Sequence, residues 1–184
     1  MRTFTLAPLA LLLASGCGAP WTTLVQSGPP SAIAGAQQLT YASDFSSLIM
    51  DGQPIAQILA QESPEEQGNI QSAFQAMESE FLQAFASNVH VPVTPAAGPP
   101  QPGEVRLTAV FTDIRRGARG PMGRATGVTV HFQFSVGGQV TDEAEASCAL
   151  SPSLTRASRT RRMTSCAERL GRLAARYFNS EQQR

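Results

Sequence analysis

Three stretches between Val105 and Leu150 alternate apolar and polar residues with a period of two. Val105–Ile114 places Val105, Leu107, Ala109 and Phe111 on one side. Val128–Val136 does so with Val128, Val130, Phe132, Phe134 and Val136, and Gln139–Leu150 with Val140, Ala144, Ala146 and Cys148. A period of two does not suit a helix. It sends successive side chains to opposite faces of a strand. Gly137-Gly138, between the last two stretches, can adopt the positive φ angles of a two-residue hairpin. The chain must therefore build a sheet with one apolar face, and another part of the sequence must cover it.

Two segments are suited to that task. Ser63-Pro64-Glu65-Glu66 opens a helix: Ser63 is an N-cap, Pro64 fits the first helical position, and Glu66 completes a capping box. Ile70, Phe74, Met77, Phe81 and Phe85 then recur at helical spacing toward an end near Asn88. The second helix is expected from about Arg161 to Asn179. Its apolar face holds Met163, Cys166, Leu170, Leu173, Ala174 and Tyr177, flanked by Arg161, Arg162, Arg169, Arg172 and Arg176. Upstream, Gln37–Phe45 alternates as a strand. Val89, Val91 and Val93 mark a short one that Pro92 confines to an edge or an end. The expected fold class is α+β: a mainly antiparallel sheet of about five strands with two helices on one face, in the order β-α-β-β-β-β-α. It forms a single domain over residues 36–184, and an apolar content of 42% suffices for its core.

The amino terminus reads as an export signal over residues 1–16. Arg2 is the positive start, Phe4–Leu13 the apolar run, and Ala14-Ser15-Gly16 the small-residue cleavage site. The run is shorter than the ~20 residues of a transmembrane helix. Leu13-Ala14-Ser15-Gly16-Cys17 resembles a bacterial lipobox, with Ala14 where that family usually has leucine and Leu13 one step early. The resemblance implies cleavage before Cys17 and acyl chains on its thiol and new amino group. Gly18 rather than Asp after the cysteine implies delivery to the outer membrane, most simply facing the periplasm. Ordinary secretion with an unmodified Cys17 is the alternative. Residues 17–35, broken by Gly18, Pro20, Gly28, Pro29, Pro30 and Gly35, are then a lipidated tether. Trp21 and Leu24-Val25 either touch the lipid interface or dock on the domain. Element order, with a final hairpin followed by a helix, also resembles the small periplasmic domains of the curli-secretion lipoprotein and of the amino terminus of the Tol–Pal propeller protein. That resemblance implies a place in the envelope and carries over no functional residue.

If Cys17 carries lipid, Cys148 and Cys166 are the only cysteines left to pair. An exported compartment permits the bridge, which would tie the last strand to the last helix. Two buried free thiols are the alternative.

Charge narrows the chemistry further. The formal net charge is zero and every base is arginine. Without lysine, a Walker A loop and Schiff-base catalysis are excluded, and the neutral total disfavours nucleic acid as a partner. The charges are split along the chain. Residues 17–104 carry eight acids and no base; residues 105–184 carry thirteen arginines and six acids. An acidic first helix beside an arginine-flanked last helix would offset much of this.

No nucleophile elbow, zinc motif, calcium loop or dinucleotide fingerprint is present. His90 and His131 fall on polar strand faces, and Asp142, Glu143 and Glu145 on a solvated one. No enzyme, metal or cofactor is expected. The most distinctive internal segment runs from Arg115 to Arg124, where Arg115, Arg116, Arg119 and Arg124 are interleaved with glycines. Guanidinium groups grip carboxylate or phosphate bidentately, so an anionic lipid or an acidic protein is the candidate partner. The expected function is a lipid-anchored, non-enzymatic interaction or assembly module of the cell envelope. The alternative is a small-molecule or lipid-binding protein with an apolar cavity.

Overall fold

The computed structural model describes residues 20–117, 123–153 and 158–184. In chain order the elements are β1 (Thr22–Val25), β2 (Leu39–Asp44), β3 (Ile49–Met50), β4 (Gln53–Pro54), α1 (Ile55–Gln61), α2 (Pro64–Ala86), β5 (Val93–Pro95), β6 (Val105–Arg115), β7 (Thr126–Val136), β8 (Gln139–Leu150) and α3 (Arg159–Gln182). The three alternating stretches form the centre of the sheet. β6 pairs antiparallel with β7 from Val105↔Val136 to Arg115↔Gly127, and β7 with β8 from Thr126↔Leu150 to Val136↔Gln139. Their apolar side, including Leu107, Phe111, Val130, Phe132, Phe134 and Ala144, is fully buried.

Helices α2 and α3 cover that face. Phe81 of α2 packs its ring on Tyr41, Phe111 and Phe132, while Tyr177 and Phe178 of α3 stack on Phe134. Ser63 caps α2 by accepting from the Glu66 amide at 3.3 Å, and Pro64 occupies the first turn, as its sequence predicts. Cys148 and Cys166 are joined in a disulfide with a Cα–Cα distance of 5.4 Å, tying β8 to α3.

The expectation of about five mainly antiparallel strands with two helices is corrected on three counts. Among the described residues the sheet is mixed and has eight strands, in the order β1-β8-β7-β6-β2-β5 with β3 branching from β6 and β4 pairing with β3, and there are three helices. First, β2 pairs parallel with both β5 and β6. The chain crosses over through α1 and α2 before returning, and a crossover delivers a parallel strand. Side-chain alternation reports which face is buried and is silent on direction. Second, β3 and β4 are two residues each around the Asp51-Gly52 turn, too short to show any period. Helix α1 abuts α2, and the Gln67 side chain joins them by donating to the carbonyls of Leu59 (2.8 Å) and Glu62 (3.0 Å).

Third, the segment expected to be a tether is folded from residue 20 onward. β1 adds to the free edge of β8. Trp21 meets Tyr177 edge-on at 5.8 Å, Ile33 is fully buried, and Gln182 donates to the carbonyls of Ile33 and Ala36. The docked alternative thus holds for Trp21, while Leu24 and Val25 stay exposed. Cys17 and the signal segment lie outside the described residues.

Two charged residues also depart from expectation. A bulge at Thr141 shifts the β7–β8 register, so Asp142 faces Phe134 with no exposure, and Val140, expected inside, is exposed. The Asp142 carboxylate accepts from the Ser27 amide (3.3 Å), the Ser27 hydroxyl (2.9 Å) and the Ser31 hydroxyl (3.0 Å). Those bonds make its burial tolerable and fasten the amino-terminal segment. Arg162, expected on the surface arc of α3, is fully buried and donates through Nε to Thr126 Oγ1 at 2.8 Å.

Candidate functional site

The arginine segment begins where β6 ends, and the structure divides its members. Asp51 sits in the β3–β4 turn at φ +51° and accepts from both the Arg116 amide (2.9 Å) and Arg116 Nε (2.5 Å). Gly117 follows at φ +68°, where a Cβ would lie 2.5 Å from the Arg124 carbonyl, so only glycine fits this turn. Arg116 is thereby held facing the helix layer. Arg115 pairs with Asp113 at 3.3 Å, is 68% exposed, and lays its guanidinium against Gly127. Arg115 and Arg124 line a separate hollow that they share with Asp51 and Asp113. Arg119 lies outside the described residues. The predicted four-arginine cluster is therefore at least two environments, with acids beside three of its members.

Opposite Arg116 stands the start of α3. Ser158 caps it, accepting from the Arg161 amide at 3.5 Å, and no acid occupies its first turn. Between this helix start, Arg116 and the first half of α2 lies a cleft of about 370 Å³. Met50, Ile70, Ala73, Phe74 and Met163 give it an apolar floor. Arg116, Arg159, Asn69, Ser158 and Thr160 supply polar groups, and Glu66 is the one acid among the described residues of the lining. Glu66 accepts from Asn69 at 3.1 Å. Arg159 Nε is buried without a hydrogen-bond partner among the described residues. Sequence reasoning found Arg116 but missed Arg159, because the cleft is assembled from segments spread along the chain from Met50 to Met163.

The other candidates are placed as follows. His131 lies on the face of the sheet away from the helices, its Nδ1 2.7 Å from Glu143 and its Nε2 3.0 Å from Glu145. His131 and Glu145 are directly paired across β7 and β8, so this is a cross-strand hydrogen-bonded cluster. His90 lines a hollow with Phe178 and Asn179, with no acid among the described residues of its lining. Among the described residues no group of three or more His, Cys, Asp or Glu is arranged to hold a metal ion. Glu104 is held by the Thr40 hydroxyl, by the Gln101 amide at 2.7 Å and by Arg106 at 2.8 Å, which together bring its carboxyl down to about 2. Burial pushes the phenols of Tyr41 and Tyr177 above their usual range.

The charge split is not neutralised where the sequence suggested. α2 and α3 do lie side by side, but no ion pair joins the described acids of α2 to Arg161, Arg169, Arg172 or Arg176. Arg172 instead pairs within its own helix with Glu168 at 2.5 Å. Arg161, Arg169 and Arg176 are exposed.

Fold and site together define a class: a mixed-sheet domain with its helices on one face, a disulfide across the layers, and an arginine-edged cleft at one end of the helix layer. Among solved structures the chain is similar to a dodecamer of a single-substitution variant of PelC from Paraburkholderia phytofirmans, with 19% identity, a TM-score of 0.45, and coverage of 85% of this chain and 98% of that one. It is also similar to a second PelC dodecamer from the same organism, with 16% identity, a TM-score of 0.45, and coverage of 84% and 97%. No family model and no curated protein matches the chain.

Proposed function

We propose that this protein is an exported, lipid-anchored component of the cell envelope, held to the outer membrane through Cys17 and serving as a non-enzymatic interaction module. The observation that carries the reading is the Cys148–Cys166 disulfide. Such a bridge persists in an oxidising compartment, where the lipobox-like Leu13–Cys17 segment would deliver the chain. The folded amino-terminal segment sharpens the picture. With Trp21 docked, only residues 18–20 separate the anchor from the domain, a reach of about 14 Å at full extension from Cys17 to Trp21. The anchor therefore holds the β1 edge and the carboxyl-terminal end of α3 close to the bilayer. β1 has one edge paired with no described strand, carries no charge or proline, and leaves Leu24 and Val25 exposed beside β8. The opposite edge, β5, ends in Pro95 and follows Pro92.

Intact mass spectrometry of the protein recovered from the membrane fraction tests the anchor. The expected mass is that of the chain cleaved before Cys17 plus acyl groups, and Cys17→Ala should release the protein from membranes. An unmodified cysteine in a soluble fraction refutes it. A photo-crosslinker at Leu24 in intact cells tests the interaction surface. Crosslinks to a specific envelope component are expected, and none at Leu24 alongside recovery of the anchored protein would remove this surface.

A further inference from the structure

We infer that the cleft between α2, α3 and the end of β6 binds an anionic amphiphile, a carboxylate or phosphate head carrying an apolar chain. Three independent features lead there, and none depends on whether Cys17 is acylated. The first is the lining: an apolar floor of Met50, Ile70, Phe74 and Met163 beneath two guanidinium groups, in a volume within the range of small-molecule sites. The second is the unmatched donor, since Arg159 lines the cleft with its Nε buried and unpartnered among the described residues. A buried N–H without an acceptor is uncommon; the Arg159 side chain has to turn toward the cleft before an anion there can supply one. The third is the charge at the start of α3. The positive end of a helix favours acids, yet this first turn has none and begins Arg159-Thr160-Arg161-Arg162. A bound anion reverses that unfavourable arrangement, lying between the positive helix start with Arg159 on one side and Arg116 on the other. Asp51 holds Arg116 at the edge of the cleft through its amide and its Nε, so an incoming head group meets a guanidinium already beside one carboxylate, with Glu66 in the same lining.

The shared ligand chemistry can come from a fatty acid or from a phosphate-bearing lipid, and the probes separate the two. The full chain carrying Cys17→Ser, so that no acyl group of its own competes, is titrated calorimetrically with decanoate, decyl phosphate, decanol and inorganic phosphate. Saturable one-to-one binding of decanoate or decyl phosphate is expected; the tighter of the two identifies the head group. Decanol and inorganic phosphate should bind at least tenfold more weakly. Arg159→Gln should weaken the anionic amphiphile at least tenfold. Ala73→Phe, which fills the floor while leaving both arginines in place, should abolish binding in a protein that melts like the parent. The proposal is overturned if neither amphiphile saturates, if decanol or inorganic phosphate binds as tightly as its amphiphilic counterpart, or if folded Ala73→Phe protein still binds.

Discussion

Gly171 of α3 sits where the two long helices touch, and replacing it with alanine tests how that contact holds the helix layer together. A Cβ built on Gly171 would lie 2.3 Å from the Phe81 carbonyl oxygen, 3.1 Å from Phe81 C and 3.1 Å from Ala84 Cβ. The nearest atom is backbone of α2, which cannot swing aside as a side chain would. The helices must separate by about 1 Å at the crossing, loosening the packing of Phe81, Phe85, Leu170 and Ala174, all buried in the same layer. Overpacking costs about 1–3 kcal/mol and more where the obstacle is rigid backbone, as here, and the ~0.5–1 kcal/mol that alanine gains over glycine in a helix offsets only part of it. In a domain of this size each kcal/mol moves the melting temperature by about 2–4 °C, so Gly171→Ala should melt several degrees lower. Gly68→Ala is the control. Gly68 is exposed in the first turns of α2 with nothing within 4 Å of its would-be Cβ, so the same substitution should raise the melting temperature by ~1–4 °C. Thermal unfolding by circular dichroism gives both values. A Gly171→Ala protein as stable as the parent would refute the close helix contact.

Three further perturbations follow from the same structure. Replacing both Cys148 and Cys166 with alanine removes a link between residues 18 apart and should cost about 3 kcal/mol, read by urea unfolding without reductant; an unchanged midpoint would refute a stabilising bridge. Glu104 has its carboxyl lowered to about 2, so its stabilisation is complete above the ordinary carboxylate range and is lost as pH falls through that range toward about 2. The melting-temperature gap between the parent and Glu104→Gln should therefore be widest near neutrality and shrink on acidification; a gap that widens in acid contradicts the assignment. Asp142→Ala leaves the Ser27 and Ser31 hydroxyls without their acceptor and should expose residues 20–35 to proteolysis, seen as early amino-terminal cleavage; an unaltered digestion pattern would show that the clamp is dispensable.

What was legible in the sequence was whatever repeats locally. The faces of β6 and β7 and the apolar stripes of α2 and α3 are written as periods of two and 3.6 residues, and Ser63-Pro64 marks a helix start through chemistry confined to four positions. The direction of β2 was not legible, because Leu39 and Tyr41 are buried equally well beside a parallel or an antiparallel neighbour. Nor was β1, whose four residues Thr22–Val25 are all exposed and so show no alternation. It pairs with β8, and the residues just after it are held by partners remote in sequence, Ser27 by Asp142 and Gln26 by Glu181, which accepts from it at 3.0 Å. Asp142 itself looked like a solvent residue because a one-residue bulge cannot be seen in a sequence, and that bulge decides which of Val140 and Asp142 turns inward. The cleft failed to show for a related reason. Arg116 belongs to a conspicuous arginine run, whereas Arg159 acquires its meaning only when α3 is laid beside β6 and α2.

The charge split takes on a different sense once the helices are seen. Had the acids of α2 paired with the arginines of α3, the segregation would have been absorbed within the helix layer as a set of weak surface pairs. Instead Arg161, Arg169 and Arg176 remain exposed along α3, and its first turn adds the positive end of the helix to Arg159. A neutral total therefore conceals exposed arginines along the helix whose first residues edge the cleft. Exposed charges of this kind act over a Debye length of about 8 Å at physiological salt, enough to draw in an anion approaching along α3 but not one arriving elsewhere on the domain. Capture by these arginines should weaken as salt rises. The contacts made inside the cleft, on Arg159 and above an apolar floor, should be screened far less, so salt should slow association more than it hastens release.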